Sequence, residues 1–136
     1  ITRTVIKGKP SDILKDMFQV VLQGQKIGVQ LVKAGRNSKT IHNSIKDFFD
    51  DSGFPTDFAK NNPDGFIHST GHGLGLDIHE PPRVSSLSEV LKSNNVITIE
   101  PGLYYPKIGG IRIEDTVVVT EKGCRNLTSF PKIFEI

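Results

Sequence analysis

Apolar residues keep one rhythm up to about Asp64 and another beyond it. In the first part Leu14, Met17, Phe18, Val21, Gly28, Leu31 and Val32 recur at helical intervals, which predicts an amphipathic helix. Ile1 to Ile6 reads as a β-branched strand end, broken by Gly8 and Pro10, with Ser11 as N-cap of the helix. Gly24 and Gly28 interrupt the helix at a cost of about 1 kcal/mol each against alanine, which predicts a second backbone packed closely against them. Gly35 reads as a C-cap and Ser38 as the next N-cap. Ile41, Ile45, Phe48 and Phe49 then form the inner face of a second helix ending at Gly53.

Beyond Asp64 short β-rich runs alternate with glycines: Phe66 to Ser69, Leu76 to His79, Val96 to Glu100, Leu103 to Tyr105, Ile111 to Thr120 and Arg125 to Leu127. Ser86 and Glu89 have capping-box spacing and predict a short helical turn before Lys92, while Lys122-Gly123 suits the turn of a C-terminal hairpin. No repeat, low-complexity tract or linker divides the chain. The expected class is α+β, with helices on one side of a largely antiparallel sheet.

Composition narrows the function classes. The chain has 136 residues, enough for one core, and 17 basic against 15 acidic residues leave a net charge of only +2. That balance lacks the basic stripe of a nucleic-acid or anionic-membrane binder. No apolar run approaches the roughly 18 residues of a membrane span, and Ile1 to Pro10 lacks signal-peptide order, so the expectation is a cytoplasmic protein with no membrane and no nucleic-acid partner. The single cysteine, Cys124, cannot close an internal disulfide and is expected to be reduced.

Three of the four histidines, His68, His72 and His79, fall in FIHSTGHGLGLDIHEPP. Imidazole is the commonest metal ligand and the side chain suited to proton transfer near neutrality, and the glycines let backbone approach a bound ion. A phosphate loop is a poor reading of GHGLG, because the P-loop lysine is absent. The HExxH zinc motif is absent too, since Pro81-Pro82 follow His79-Glu80 and would break its helix. Glu100 in VITIEPGLYY and Glu114 in GIRIEDTVVV end or cross β-branched runs. A carboxylate buried in such a run costs several kcal/mol unless it meets a cation. Alternation places Ile111, Ile113, Asp115 and Val117 on one face and Arg112, Glu114 and Thr116 on the other. An Arg112–Glu114 ion pair would account for that face; with the histidines, one imidazole and two carboxylates make a donor set suited to divalent Mn, Co, Zn or Fe.

GHGLGLDIHEPP, TIEPGLYY and GIRIEDTVVVTEKG, in that order, resemble the pita-bread metallopeptidases, the family of methionine aminopeptidase, aminopeptidase P, creatinase and prolidase. His72 to His79 is seven residues, His72 to Glu100 twenty-eight and Glu100 to Glu114 fourteen, and the resemblance runs from ITRTV to LTSFPK. It implies a pita-bread α+β fold and a two-metal site of two aspartates, a histidine and two glutamates. His72, Glu100 and Glu114 match the last three. By the same pattern Glu114 bridges the metals, and Glu100 binds one and takes the proton of a bridging water to leave a hydroxide nucleophile. His79 steadies charge on the attacked carbonyl oxygen, His68 is a further catalytic histidine beside the ligands, and Arg112 holds Glu114.

The GLDIHE and EPGLY forms and the RIED segment resemble the Xaa-Pro group, and Arg83 stands where some prolidases bring an arginine to a dipeptide carboxylate. The implied substrate is an Xaa-Pro peptide, and members of this group are often homodimers. Creatinase-like amidine hydrolysis and a non-catalytic peptide-binding module are the alternatives, the latter usually without the metal ligands. The family's two aspartates lie on a hairpin N-terminal to this region. Asp12, Asp16 and Asp47 fall on the predicted helices and do not replace them. Residues 1–136 are therefore expected to be the C-terminal portion of a catalytic domain, with its N-terminal strands and the remaining ligands in a missing N-terminal part of the same protein, and to be inactive alone.

Overall fold

The computed structural model describes all residues, Ile1–Ile136. Helix α1 (Asp12–Leu31) buries Met17, Phe18, Val21, Gly24, Gln25 and Gly28, the face its apolar spacing predicts. Its N-cap is Ser11, although the serine hydroxyl makes no capping bond and only the backbone carbonyl serves Leu14 and Lys15. It ends at Leu31 with Val32 as C-cap, short of the expected Gly35; that glycine instead takes φ +79° in the turn between the helices. Helix α2 (Ser38–Asp51) is capped by Asn37, whose side chain accepts from the Lys39 amide. Ser38 lies inside the helix, fully buried, its amide donating to the Glu89 carbonyl and its hydroxyl accepting from the Glu89 amide. Those bonds also explain why Ser86 to Glu89 forms no helical turn: Glu89 lends its backbone to the start of α2.

The helices cross against one another at Gly24 and Gly28. What approaches is side chain, not the backbone expected from the sequence. A Cβ at Gly28 would lie 2.9 Å from both Ile45 Cδ1 and Ile99 Cγ2, and one at Gly24 would lie 2.5 Å from the Phe49 ring.

Seven strands follow, all paired antiparallel: β1 (Gly71–Gly73), β2 (Glu80–Val84), β3 (Val96–Ile99), β4 (Gly102–Tyr105), β5 (Gly109–Arg112), β6 (Asp115–Val119) and β7 (Cys124–Asn126). One sheet has the order β2-β1-β3-β6-β7, and β4-β5 form a second ribbon. Both helices cover the face carrying Ile97, Ile99, Val117 and Val119, which are 0% exposed. The class is α+β, as expected.

Several predicted strands move. Phe66 to Ser69 is irregular, with Phe66 sunk in the core and pairing starting only at Gly71. Leu76 to His79 is a loop: Leu76 and Ile78 point outward, 106% and 70% exposed, so their apolarity marks no buried strand here. The strand lies one step later, at Glu80–Val84, where Pro81 and Pro82 are tolerated because β2 is a sheet edge and needs no donors on its outer side. Ile1 to Ile6 contributes only isolated bridges, Thr2 to Glu114 and Ile6 to Glu135. Ile111 to Thr120 splits into β5 and β6, because β5 pairs with β4 and β6 with β3. The chain changes sheets at Ile113–Glu114, and there the Glu114 amide donates to Thr2 O instead of to a neighbouring strand. Cys124 is half-buried, its thiol raised by burial, and it forms no disulfide.

Candidate metal centre and cleft

Sheet register brings the singled-out residues together. In β3 and β6, Thr98 faces Thr116 and Ile99 faces Asp115. One further step in the same register, continued by the Ile113 amide donating to Pro101 O, sets Glu100 across from Glu114. In β1, Gly73 pairs with Ile97, which puts His72 beside Thr98; the His72 amide donates to Thr98 Oγ1 at 3.1 Å. His72, Glu100 and Glu114 thus share the sheet face opposite the helices. The glycines around His72 have a steric cause: a Cβ at Gly71 would strike Thr98 O, and one at Gly73 would strike Pro81 O. Only a bare backbone lets β1 lie this close to β2 and β3 and carry the imidazole between them.

Like charges directly opposed across a ladder are unfavourable, so the Glu100–Glu114 arrangement calls for a cation. His72 points the same way. Its Nδ1 lies 3.0 Å from Gly73 O, which fixes the proton there in the neutral ring, and its Nε2 is 3.2 Å from Glu100 Oε1. Two lone-pair groups at that separation are complementary to a proton or metal ion held between or beside them. Thr98 Oγ1 donates to Glu100 Oε1 at 3.2 Å, Arg112 Nε is 3.8 Å from Glu100 Oε2, and Thr2 Oγ1 donates to Glu114 Oε2. Arg112 therefore sits directly on Glu100 and reaches Glu114 through the Thr2 hydroxyl, 3.4 Å from Nε. In donor chemistry the imidazole and two carboxylates fit a divalent cation, though no three His, Cys, Asp or Glu side chains are drawn into a closed cluster.

These residues line two hollows that share His72, His79 and Glu100. One, of about 230 Å³, holds His72, His79, Glu100, Arg112 and Glu114; the other, of about 670 Å³, holds His68, His72, His79, Arg83 and Glu100. No aspartate lines either. His79 is exposed on the β1–β2 loop with its ring centroid 4.2 Å from that of His72. Arg83 is exposed on β2 and makes no ion pair. His68 is half-buried: Nδ1 donates to Ser69 O at 2.7 Å in the neutral ring, and Nε2 is 3.2 Å from the Tyr104 hydroxyl. Burial, with a smaller push from the Arg112 charge, holds His68 below the usual histidine pKa despite the opposing Ser69 bond and Glu100 charge. Arg112 Nη1 donates to the same Tyr104 hydroxyl at 3.4 Å, a bond that raises the guanidinium's already high pKa.

Sequence reasoning missed Thr2, Tyr104 and Asp115. Hydroxyls leave no periodic trace, but Asp115 left one: a carboxylate assigned by alternation to an apolar face.

Residues 1–121 match the metallopeptidase family M24. The chain is 45% identical over 129 residues to an Xaa-Pro dipeptidase of Pyrococcus furiosus, covering 94% of this chain and 35% of that protein. It superposes on an Xaa-Pro dipeptidase from Bacillus anthracis with a TM-score of 0.90 at 40% identity, covering 100% of this chain and 37% of the other. An X-Pro aminopeptidase from Thermotoga maritima gives 0.89 at 38% identity, again covering 100% and 37%. The chain spans about a third of the length of the curated relatives it matches.

Proposed function

The chain belongs to metallopeptidase family M24 and has the pita-bread fold of its structural neighbours, and from that premise we propose that it is part of a metal-dependent hydrolase of Xaa-Pro peptide bonds. The observation that carries the proposal is the placement of His72, Glu100 and Glu114 on one sheet face with the two carboxylates opposed. Family membership implies divalent metal ions. His72 Nε2 and the carboxylates of Glu100 and Glu114 are the groups that would hold them. Bound ions of this kind supply Lewis acidity, bringing the pKa of water down to near 7.

The chain's own groups then have separate tasks. Glu100 accepts a proton, with Oε2 turned toward Arg112 and Oε1 facing His72. His79, free of hydrogen bonds to the protein and exposed at the rim, donates toward an oxygen that gains charge. His68, held neutral by burial and oriented by Ser69 and Tyr104, presents its ring to the wall of the larger hollow. Arg83 offers an uncommitted guanidinium in the lining of that hollow, suited to the free carboxylate of a dipeptide. The family's two aspartate ligands would come from another segment of the whole protein, and residues 1–136 by themselves would not hydrolyse peptides.

The test is hydrolysis of Xaa-Pro dipeptides and longer Xaa-Pro peptides by the full-length protein loaded with Mn²⁺ or Co²⁺, with His79→Ala as the control. Turnover that needs the metal and collapses in His79→Ala supports the proposal; hydrolysis unaffected by chelator, or by the loss of His79, contradicts it.

A further inference from the structure

Asp115 lies directly after Glu114 but points the other way, into the core, and is 0% exposed. Its two oxygens take more donors than an ordinary buried carboxylate. Oδ1 accepts from Arg3 Nη2 at 2.7 Å and Thr128 Oγ1 at 2.9 Å, and Oδ2 from Gln25 and Asn126 at 3.0 Å each and from Lys132 Nζ. These partners come from the first residues, from α1, from β7 and from the C-terminal segment. One side chain ties four parts of the chain to the start of β6.

Arg3 is equally committed. Besides Asp115 it donates to Thr2 O, to Phe130 O and, through Nη1, to the backbone carbonyl of Glu114. Its side chain is only 9% exposed. Glu114 sits where the chain leaves one sheet for the other, so neither sheet ladder holds its peptide groups. Instead its amide donates to Thr2 O at 3.0 Å, its carbonyl accepts from Arg3, and its carboxylate accepts from Thr2 Oγ1. All three attachments come from Thr2 and Arg3, and Arg3 is itself fixed by Asp115.

We propose that Arg3 and Asp115 are positioning residues for Glu114: their buried pair clamps the backbone at the sheet crossover and so aims the Glu114 carboxylate at the hollow shared with Glu100 and His72. The consequence for metal binding rests on the reading above that these three side chains hold the ion, whereas the clamp itself does not. Partners that orient a ligand from behind typically change metal affinity 10- to 100-fold when removed.

Two readouts on the full-length protein separate these claims. The first is hydrogen exchange of the metal-free protein. Arg3→Lys keeps the charge beside Asp115, which protects the fold, but one amine cannot also span the Glu114 and Phe130 carbonyls. In Arg3→Lys and Asp115→Asn, amides of Ile113 to Thr116 are expected to gain at least about tenfold more in exchange rate than those of Ile97 to Ile99 and of α1, whose rise reports the loss of global stability. The second is Co²⁺ titration followed by its visible absorption, where both variants are expected to bind about 10- to 100-fold more weakly. Val21→Ala, a core truncation in α1, is the stability control and should leave Co²⁺ affinity within about twofold. Exchange that is unchanged at Ile113 to Thr116, or that rises uniformly as it does in Val21→Ala, overturns the clamp. If the parent protein takes up no Co²⁺, the metal reading falls and the exchange pattern alone decides the clamp.

Discussion

Replacing Asp115 by asparagine keeps the shape of the side chain and removes the one anion between Arg3 and Lys132. Burial by itself would push the Asp115 carboxyl up, but the bonds from Lys132, Arg3 and Thr128, with the Lys132 charge, outweigh it and bring the pKa from 3.8 down to about 2. That drop corresponds to about 2.5 kcal/mol of folding free energy at neutral pH. Removing one member of a buried ion pair costs about 3–5 kcal/mol by a separate measure, reduced here because Lys132 is a quarter exposed and can turn to water. The expected loss for Asp115→Asn is therefore about 2–4 kcal/mol in urea unfolding followed by circular dichroism at pH 7. The pH dependence has a definite sign. The folded carboxyl ionises more readily than the unfolded one, so its contribution is complete above about pH 4–5 and is lost as pH falls toward 2. The gap between parent and variant should accordingly close across that window. A variant within about 0.5 kcal/mol of the parent at pH 7, or a gap that stays constant down to pH 2, would refute this account of the core.

Other outcomes follow from the same contacts. Gly71→Ala drives a methyl into Thr98 O, so it should unpair β1 from β3 and cost more than about 3 kcal/mol, read as a loss of soluble folded protein or a large fall in Tm. Gly28→Ala sets the better helix propensity of alanine, about 1 kcal/mol, against a wedge 2.9 Å from Ile45 and Ile99; overpacking costs about 1–3 kcal/mol, and the net effect should be a lower Tm in a calorimetric scan. His42 is held below its usual pKa by burial first and by the His68 and Lys46 charges next. It is neutral in the fold, so it favours the folded state fully above about pH 6.5 and less as pH falls below that value; His42→Asn should flatten the fall in stability between about pH 6.5 and pH 5.

Much of this was legible in the sequence where periodicity and burial agree. The inner faces of both helices, the strands at Val96 and Leu103 and the shared face of Arg112, Glu114 and Thr116 follow from spacing alone. The misplaced strands mark where that signal fails. Leu76 and Ile78 are apolar yet exposed, and β2 forms through a Pro-Pro pair that edge pairing alone permits. The crossover at Ile113–Glu114 was invisible because alternation survives it: side chains keep facing the same two ways while the backbone changes partners. Of the candidate centre, the histidine and the glutamates could be chosen from residue chemistry and family resemblance. Their opposition across β3 and β6 needed the register, and the hold of Thr2 and Arg3 on Glu114 spans more than a hundred residues, beyond any local pattern.

The central claim is that His72, Glu100 and Glu114 hold a divalent ion. Crystals of the full-length protein soaked in Mn²⁺ and measured at the manganese absorption edge test it directly. An anomalous peak is expected within about 2.0–2.3 Å of His72 Nε2 and of carboxylate oxygens from both glutamates. A peak elsewhere, or none at saturating Mn²⁺, would contradict it.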